Sequence, residues 1–92
     1  MIMTAQEKED LQEKILRLCN AAGRVGIRED RMLRDCQRYG FDSLLPSELA
    51  GEILIVEKAG LVTTAEKELR PDLRRWMTTA DGDRWLMKEG LI

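Results

Sequence analysis

One stretch of the chain predicts how a helix passes directly into a strand: residues 46–65 read PSELAGEILIVEKAGLVTTA. Leu49, Ile53 and Val56 recur at helical spacing and predict the buried stripe of one helix, with a proline suited to its first turn. Gly60 can adopt the left-handed conformation that ends a helix, and apolar and β-branched residues follow it at once. The stretch therefore indicates a helix that turns into a strand without an intervening loop.

Outward from this stretch, the periodicity predicts two earlier helices, a second strand and a final helix. Thr4 and Glu7 form a capping-box pattern at the start of the first helix, and Gly23 is suited to end it. The short link that follows is extended, and Val25 or Ile27 could pair there with a sheet edge. The expected helices cover about residues 4–22, 28–39 and 81–89, and a third helix that starts between Ser43 and Ser47 and runs to Ala59. The expected strands cover about residues 61–65 and 73–78, with a loop at 66–72 between them.

These elements predict a single domain over residues 1–92, because a chain of this length suffices for one hydrophobic core. Tyr39 is expected to extend the inward face of the second helix, and the thiols of Cys19 and Cys36 are expected to be reduced and buried. The predicted core residues lie on the apolar stripes of the elements: Leu11, Ile15, Leu18, Met32, Leu33, Cys36, Leu49, Ile53, Val56, Leu61, Trp85 and Leu86.

The order of the elements favours a winged helix-turn-helix, a mostly α fold with a small β-hairpin. Three helices in a chain this short leave apolar surface open, and a two-stranded wing packed on helices one and three would cover it. A short C-terminal helix would then close the remaining end of the three-helix core.

Four motifs carry a resemblance to a known family: ILRL at 15–18, MLRDC at 32–36, GLV at 60–62 and Thr79-x-x-Gly82. In this order and spacing they resemble the small winged-helix proteins of Mu-like phages and prophages, over roughly residues 11–90. The resemblance implies a winged-helix fold in a protein of phage or prophage type, and that fold favours a DNA-associated role.

The distribution of charge predicts where an anionic partner would bind. The net charge is only −2, but residues 24–38 hold five arginines against three acidic residues, whereas residues 39–69 are acidic. An arginine-rich second helix and a basic wing could contact phosphates without reading base sequence. The candidate nucleic-acid-binding residues are Arg24, Arg28, Arg31, Arg34, Arg38, Lys58, Arg70, Arg74 and Arg75. Alternatively, Asp30–Arg34 and Arg31–Asp35 pairs at i, i+4 spacing would neutralise each other on a solvated face.

The outward face of the third helix favours a different partner. It carries Gly51, Leu54 and Ile55, and it has no Arg, Asn or Gln with which to read bases. The helix also bears Glu48, Glu52 and Glu57, which would lie near phosphates and repel them. We therefore expect that any binding of double-stranded DNA lacks strong sequence reading. The alternative is a protein-interaction surface that binds a second copy of the chain or another phage or host protein.

Trp76 allows two interpretations, because arginines flank it in the second predicted strand and Lys67 stands at the predicted turn. An exposed tryptophan in a cationic wing could lie along a minor groove or a phosphate backbone. A buried tryptophan would instead belong to the core, with the stems of the arginines packed over it.

Residue types argue against catalysis. The chain has no histidine and no glycine-rich phosphate loop, and Ser43 and Ser47 stand at a helix start, where they are suited to capping. Two cysteines without histidine do not make a usual zinc site, and the longest apolar run is too short to span a membrane. We expect a cytoplasmic binding protein that is not an enzyme and that needs no cofactor, metal or membrane.

Overall fold

A computed structural model describes residues 3–65 and 74–92 of the chain. This part is mostly helical and carries a small three-stranded antiparallel sheet. The elements in chain order are α1 (Ala5–Ala22), a 3-10 turn (Gly23–Val25), β1 (Ile27–Arg28), α2 (Glu29–Arg38), α3 (Pro46–Lys58), β2 (Val62–Thr64), β3 (Arg75–Thr78) and α4 (Ala80–Lys88). No helix in these two ranges is both long enough and apolar enough to cross a membrane.

The predicted start and end of α1 are confirmed. Thr4 is its N-cap: the Thr4 hydroxyl accepts a hydrogen bond from the Glu7 amide at 3.1 Å, and the Thr4 amide donates to the Glu7 carboxylate at 3.2 Å. Gly23 follows the last turn with a φ of 62°, which favours glycine. Local interactions are therefore sufficient to set both ends of this helix.

The sheet has one strand more than the predicted hairpin. Its strand order is β1-β3-β2, and β3 pairs with Ile27 and Arg28 on one side and with Val62, Thr63 and Thr64 on the other. The expectation that Ile27 could pair at a sheet edge is confirmed. Two residues are too few to show the alternation of a strand, so the pattern of the sequence predicts only a link there.

The core is continuous across helices and sheet, and the stripe of α3 is buried as predicted. The buried apolar residues are Leu11, Ile15, Leu16, Cys19, Met32, Cys36, Leu44, Leu49, Ile53, Val56, Val62, Trp76 and Leu86. Leu18, Leu33, Leu61 and Trp85 were predicted to be core residues, but they are only partly buried and pack at its margin. On α1 the structure buries Leu16, which was not predicted to be a core residue. Both α3 and β3 pack on this helix, so its covered face is wider than the predicted stripe and includes Leu16.

The prediction that Tyr39 faces the core is wrong. Its side chain is 64% exposed, and the Lys14 ammonium lies 5.1 Å from the centre of its ring. The helix ends at Arg38, and Tyr39 has a φ of −122° and a ψ of 50°, outside the helical region. The helical period therefore does not extend to this residue.

A small polar network joins α1, β3 and α4. The Asp83 carboxylate accepts hydrogen bonds from the Thr78 hydroxyl at 2.6 Å and from the side-chain Nδ2 of Asn20 at 2.9 Å. At the start of α4 the Thr79 hydroxyl accepts from the Gly82 amide at 3.1 Å and donates to the Gly60 carbonyl at 2.6 Å. These bonds hold α4 against the end of α3 and the end of the sheet.

Candidate functional site

A cleft of about 540 Å³ lies between the end of α1, the link before α2, α2 itself and the edge of the sheet. Its apolar lining comes from Leu18 and Ala21 of α1 and from Val25 and Ile27 of the link. Its charged lining consists of four arginines and two aspartates: Arg28, Arg31, Arg34, Arg75, Asp30 and Asp35. We call this concavity the arginine cleft.

Helix spacing and sheet register together bring the four arginines to one place. Arg31 and Arg34 stand three residues apart on α2, so they project to the same side of that helix. Arg28 lies in β1, directly opposite Arg75 of β3 in the antiparallel register. Gly26 permits the close approach, because its φ is +79° and an added Cβ would lie only 2.8 Å from the Arg75 Cβ.

Carboxylates of α2 pair with three of these arginines. Asp30 lies 3.6 Å from the Arg28 Nε and 3.5 Å from the Arg34 Nη2, and Asp35 lies 3.7 Å from the Arg31 Nε. The i, i+4 pairs predicted from the sequence are therefore confirmed. Arg75 has no carboxylate partner among the described residues.

These ion pairs leave the guanidinium groups accessible. The side chains of Arg31 and Arg34 are 70% and 68% exposed, and such pairs in water are worth only about 0–1 kcal/mol each. The two aspartates reduce the positive charge of the cleft, but they do not enclose the arginines. A multiply charged anion could therefore exchange with the aspartates at small cost.

The other basic residues predicted to contact nucleic acid lie elsewhere. Arg24, Arg38, Lys58 and Arg74 are exposed, and none of them lines the arginine cleft. Arg70 lies outside the described residues, as does Lys67. The structure thus gathers four of the nine predicted basic contacts at one concavity.

The predicted interaction face of α3 is exposed. Leu54 and Ile55 are 48% and 49% exposed, and Gly51 is exposed beside them. Glu52 turns instead toward the core, where it is 6% exposed and accepts a hydrogen bond from the side-chain Nε2 of Gln12 at 3.1 Å. The outer face of α3 is therefore more apolar than its sequence suggests, because one of its acidic residues points inward.

Trp76 belongs to the core. Its side chain is 2% exposed, and its indole N–H donates a hydrogen bond to the Glu29 carboxylate at 3.1 Å. This bond ties β3 to the first turn of α2, next to the arginine cleft. Of the two interpretations that the sequence left open, burial is the correct one, so Trp76 is not available for stacking on a ligand.

The two cysteines are free and buried, as predicted. Burial raises the pKa of the Cys19 thiol to about 12 and that of the Cys36 thiol to about 11, so both stay protonated at neutral pH. Within residues 3–65 and 74–92, no group of three or more potential ligand side chains is placed to hold a metal ion.

No family model, curated protein or solved structure matches this chain.

Proposed function

We propose that this protein is a non-catalytic binding module that contacts the phosphate backbone of double-stranded DNA through the arginine cleft. The observation that carries the proposal is the convergence of Arg28, Arg31, Arg34 and Arg75 on one concavity from three separate elements. Arginine is the side chain best suited to phosphate oxygens, because its planar guanidinium offers several donors in a fixed geometry.

We further propose that the architecture is a winged helix-turn-helix in which β2 and β3 form the wing. Three helices that contact one another in every pairwise combination support this assignment. So do the packing of β3 on α1 and of β2 on α3, and the short α4 after the sheet. In this proposal the chain is a protein of phage or prophage type, as its motifs imply.

Binding in this mode is expected to be independent of base sequence. In winged helices that read bases, the third helix enters the major groove and its outward side chains donate and accept hydrogen bonds. Here that face carries Gly51, Leu54 and Ile55, and Lys58 is the last residue of the helix. Phosphate contacts position a protein on the duplex but carry no sequence information.

The decisive experiment compares salt dependence between two matched double variants. Arg31→Gln with Arg34→Gln removes two charges from the cleft, and Arg17→Gln with Arg84→Gln removes two exposed charges that do not line it. For the cleft variant the slope of log K against log salt should become shallower by about 2. The reason is that each phosphate contact releases about one counterion from the DNA, and this variant makes two contacts fewer. Fluorescence anisotropy with a short labelled duplex measures both slopes.

A third variant should change the affinity in the opposite direction. Asp30→Asn removes the carboxylate that pairs with Arg28 and Arg34, while the asparagine can still accept from the Arg31 amide, as Asp30 does at 2.9 Å. DNA affinity at low salt should therefore rise. No retardation of any duplex at low salt, or equal slopes for the two double variants, would disprove binding through the arginine cleft.

The exposed pair on α3 favours a second candidate function, a protein-interaction module. Leu54 and Ile55 are consecutive residues of one helix and are each about half exposed, and contiguous exposed apolar surface can mark a site of protein interaction. In this alternative the apolar outer face of α3 binds a second copy of the chain or another protein, and no DNA is bound.

Self-association through this face has a direct test. Replacing Leu54 and Ile55 with aspartate places two charges on the surface, so a dimer that buries it should dissociate to monomer in sedimentation velocity. Lys8→Asp is the matched control, because it changes the net charge by the same amount at an exposed position of α1, away from the outer face of α3. A sedimentation coefficient that is the same for all three proteins would exclude a dimer through α3.

A further inference from the structure

A second concavity lies between α1, the end of α3 and α4, with a volume of about 390 Å³. Its apolar lining is formed by Leu16, Val56, Leu61 and Trp85. Leu16 and Val56 belong to the buried core, whereas Leu61 and Trp85 are only partly buried and offer accessible apolar surface. A groove with this lining can accept an apolar side chain.

The charge of this groove is opposite to that of the arginine cleft. Four carboxylates, those of Glu9, Asp10, Glu13 and Glu89, line it together with two glutamines, and no basic side chain does. None of the four carboxylates takes part in an ion pair among the described residues. We call this concavity the acidic groove, since all of its charged lining residues are acidic while its interior is apolar.

The two concavities lie on opposite sides of α1. Leu18 lines the arginine cleft and Glu9 lines the acidic groove, and their separation along the helix turns them about 180° apart. A ligand in one concavity therefore leaves the other accessible. Anionic ligands, nucleic acid included, are repelled from the acidic groove by its four carboxylates.

We propose that the acidic groove docks a basic amphipathic segment of a partner protein. An apolar side chain of that segment packs against Leu61 and Trp85, and flanking lysines or arginines face Glu9, Glu13 and Glu89. Charge complementarity selects this occupant, because the unpaired carboxylates repel acidic segments and attract cationic ones. Trp85 adds a π face for a neighbouring cation, and partly buried tryptophans are frequent energetic centres of interfaces.

The test uses two capped peptides of opposite charge, Lys-Leu-Lys-Lys-Leu-Lys and Glu-Leu-Glu-Glu-Leu-Glu, titrated into the isotopically labelled full chain. The basic peptide should shift the amide signals of Leu16 and Leu61 and the indole N–H signal of Trp85. The indole N–H of Trp76, which is buried and bonded to Glu29, should stay in place. The acidic peptide should leave all of these signals unchanged.

Two matched double variants then show whether the peptide binds because of the groove or only because of the overall charge of the protein. Glu9→Gln with Glu13→Gln should weaken binding of the basic peptide about fivefold, because each exposed charge pair contributes little by itself. Asp42→Asn with Glu57→Gln removes the same charge from residues outside the groove and should leave the affinity unchanged. Equal weakening by both double variants, shifts away from the groove, or equal binding of the acidic peptide would overturn the proposal.

Discussion

Replacing Gly82 with alanine is expected to destabilise the protein by about 3 kcal/mol, although alanine is normally the better helix residue. Gly82 is buried in the first turn of α4, and a Cβ added there would overlap the Leu61 carbonyl oxygen and lie 3.3 Å from the Thr78 Cβ. That carbonyl cannot move freely, because it accepts a hydrogen bond from the Thr79 amide at 3.0 Å. The added methyl group must therefore displace backbone at the junction of α3, the sheet and α4.

The matched control is Gly51→Ala in the exposed face of α3, where nothing lies within 4 Å of the added Cβ. This variant should stabilise the protein by about 0.5–1 kcal/mol, since the helix gains propensity without a clash. Urea denaturation at neutral pH measures both, and in a domain of this size each kcal/mol corresponds to about 4–8 °C in Tm. If Gly82→Ala proved as harmless as Gly51→Ala, α4 could not pack against Leu61 as described.

The second large effect is expected at Trp76, where substitution by alanine should cost about 3–5 kcal/mol. The indole is 2% exposed within the core, and its N–H bonds to Glu29, so the substitution leaves both a cavity and a carboxylate without its donor. For a small domain this is a large share of the total stability, which is of the order of 5–15 kcal/mol.

Trp76→Phe separates the role of this residue in folding from a role in binding. Phenylalanine keeps most of the buried ring but cannot donate to Glu29, so a smaller loss of about 1–3 kcal/mol is expected in urea denaturation. The folded variant should bind a DNA duplex as the parent protein does, because Trp76 does not face the solvent. A variant of unchanged stability with much weaker DNA binding would show that the ring contacts the ligand instead of the core.

Features that depend on neighbours along the chain were predictable from the sequence. The capping pair of Thr4 and Glu7, the end of α1 at Gly23 and the passage from α3 into β2 all follow from residues a few positions apart. The Asp30–Arg34 pair is of the same kind, because both partners lie one turn apart on one helix. Such interactions form whenever the helix forms, so the residue pattern suffices to predict them.

Features that depend on which helices and strands pack against each other were predicted less well. The burial of Leu16 requires that α1 be covered on two sides, and the inward turn of Glu52 requires that Gln12 of α1 lie beside α3. For Tyr39 the error is the opposite one, because this residue was predicted to be buried and is exposed. Its ring fits the apolar stripe of α2, but the backbone leaves the helix just before it. A periodic pattern assigns faces to a helix, but it does not show how many neighbours will cover them.

By itself, the sequence determined that the chain forms four helices, where α1 begins and ends, the core stripe of α3, and an excess of arginine in residues 24–38, because these properties are local. Only the tertiary structure decided that Ile27 and Arg28 pair with β3, that Arg75 therefore lies opposite Arg28, and that Trp76 is buried against Glu29. Pairing of distant strands is set by the packing of the whole core at once, and a shift of one residue in register would turn each side chain of β3 to the opposite face. The arginine cleft exists because of that register, since it brings together arginines that are far apart in the chain.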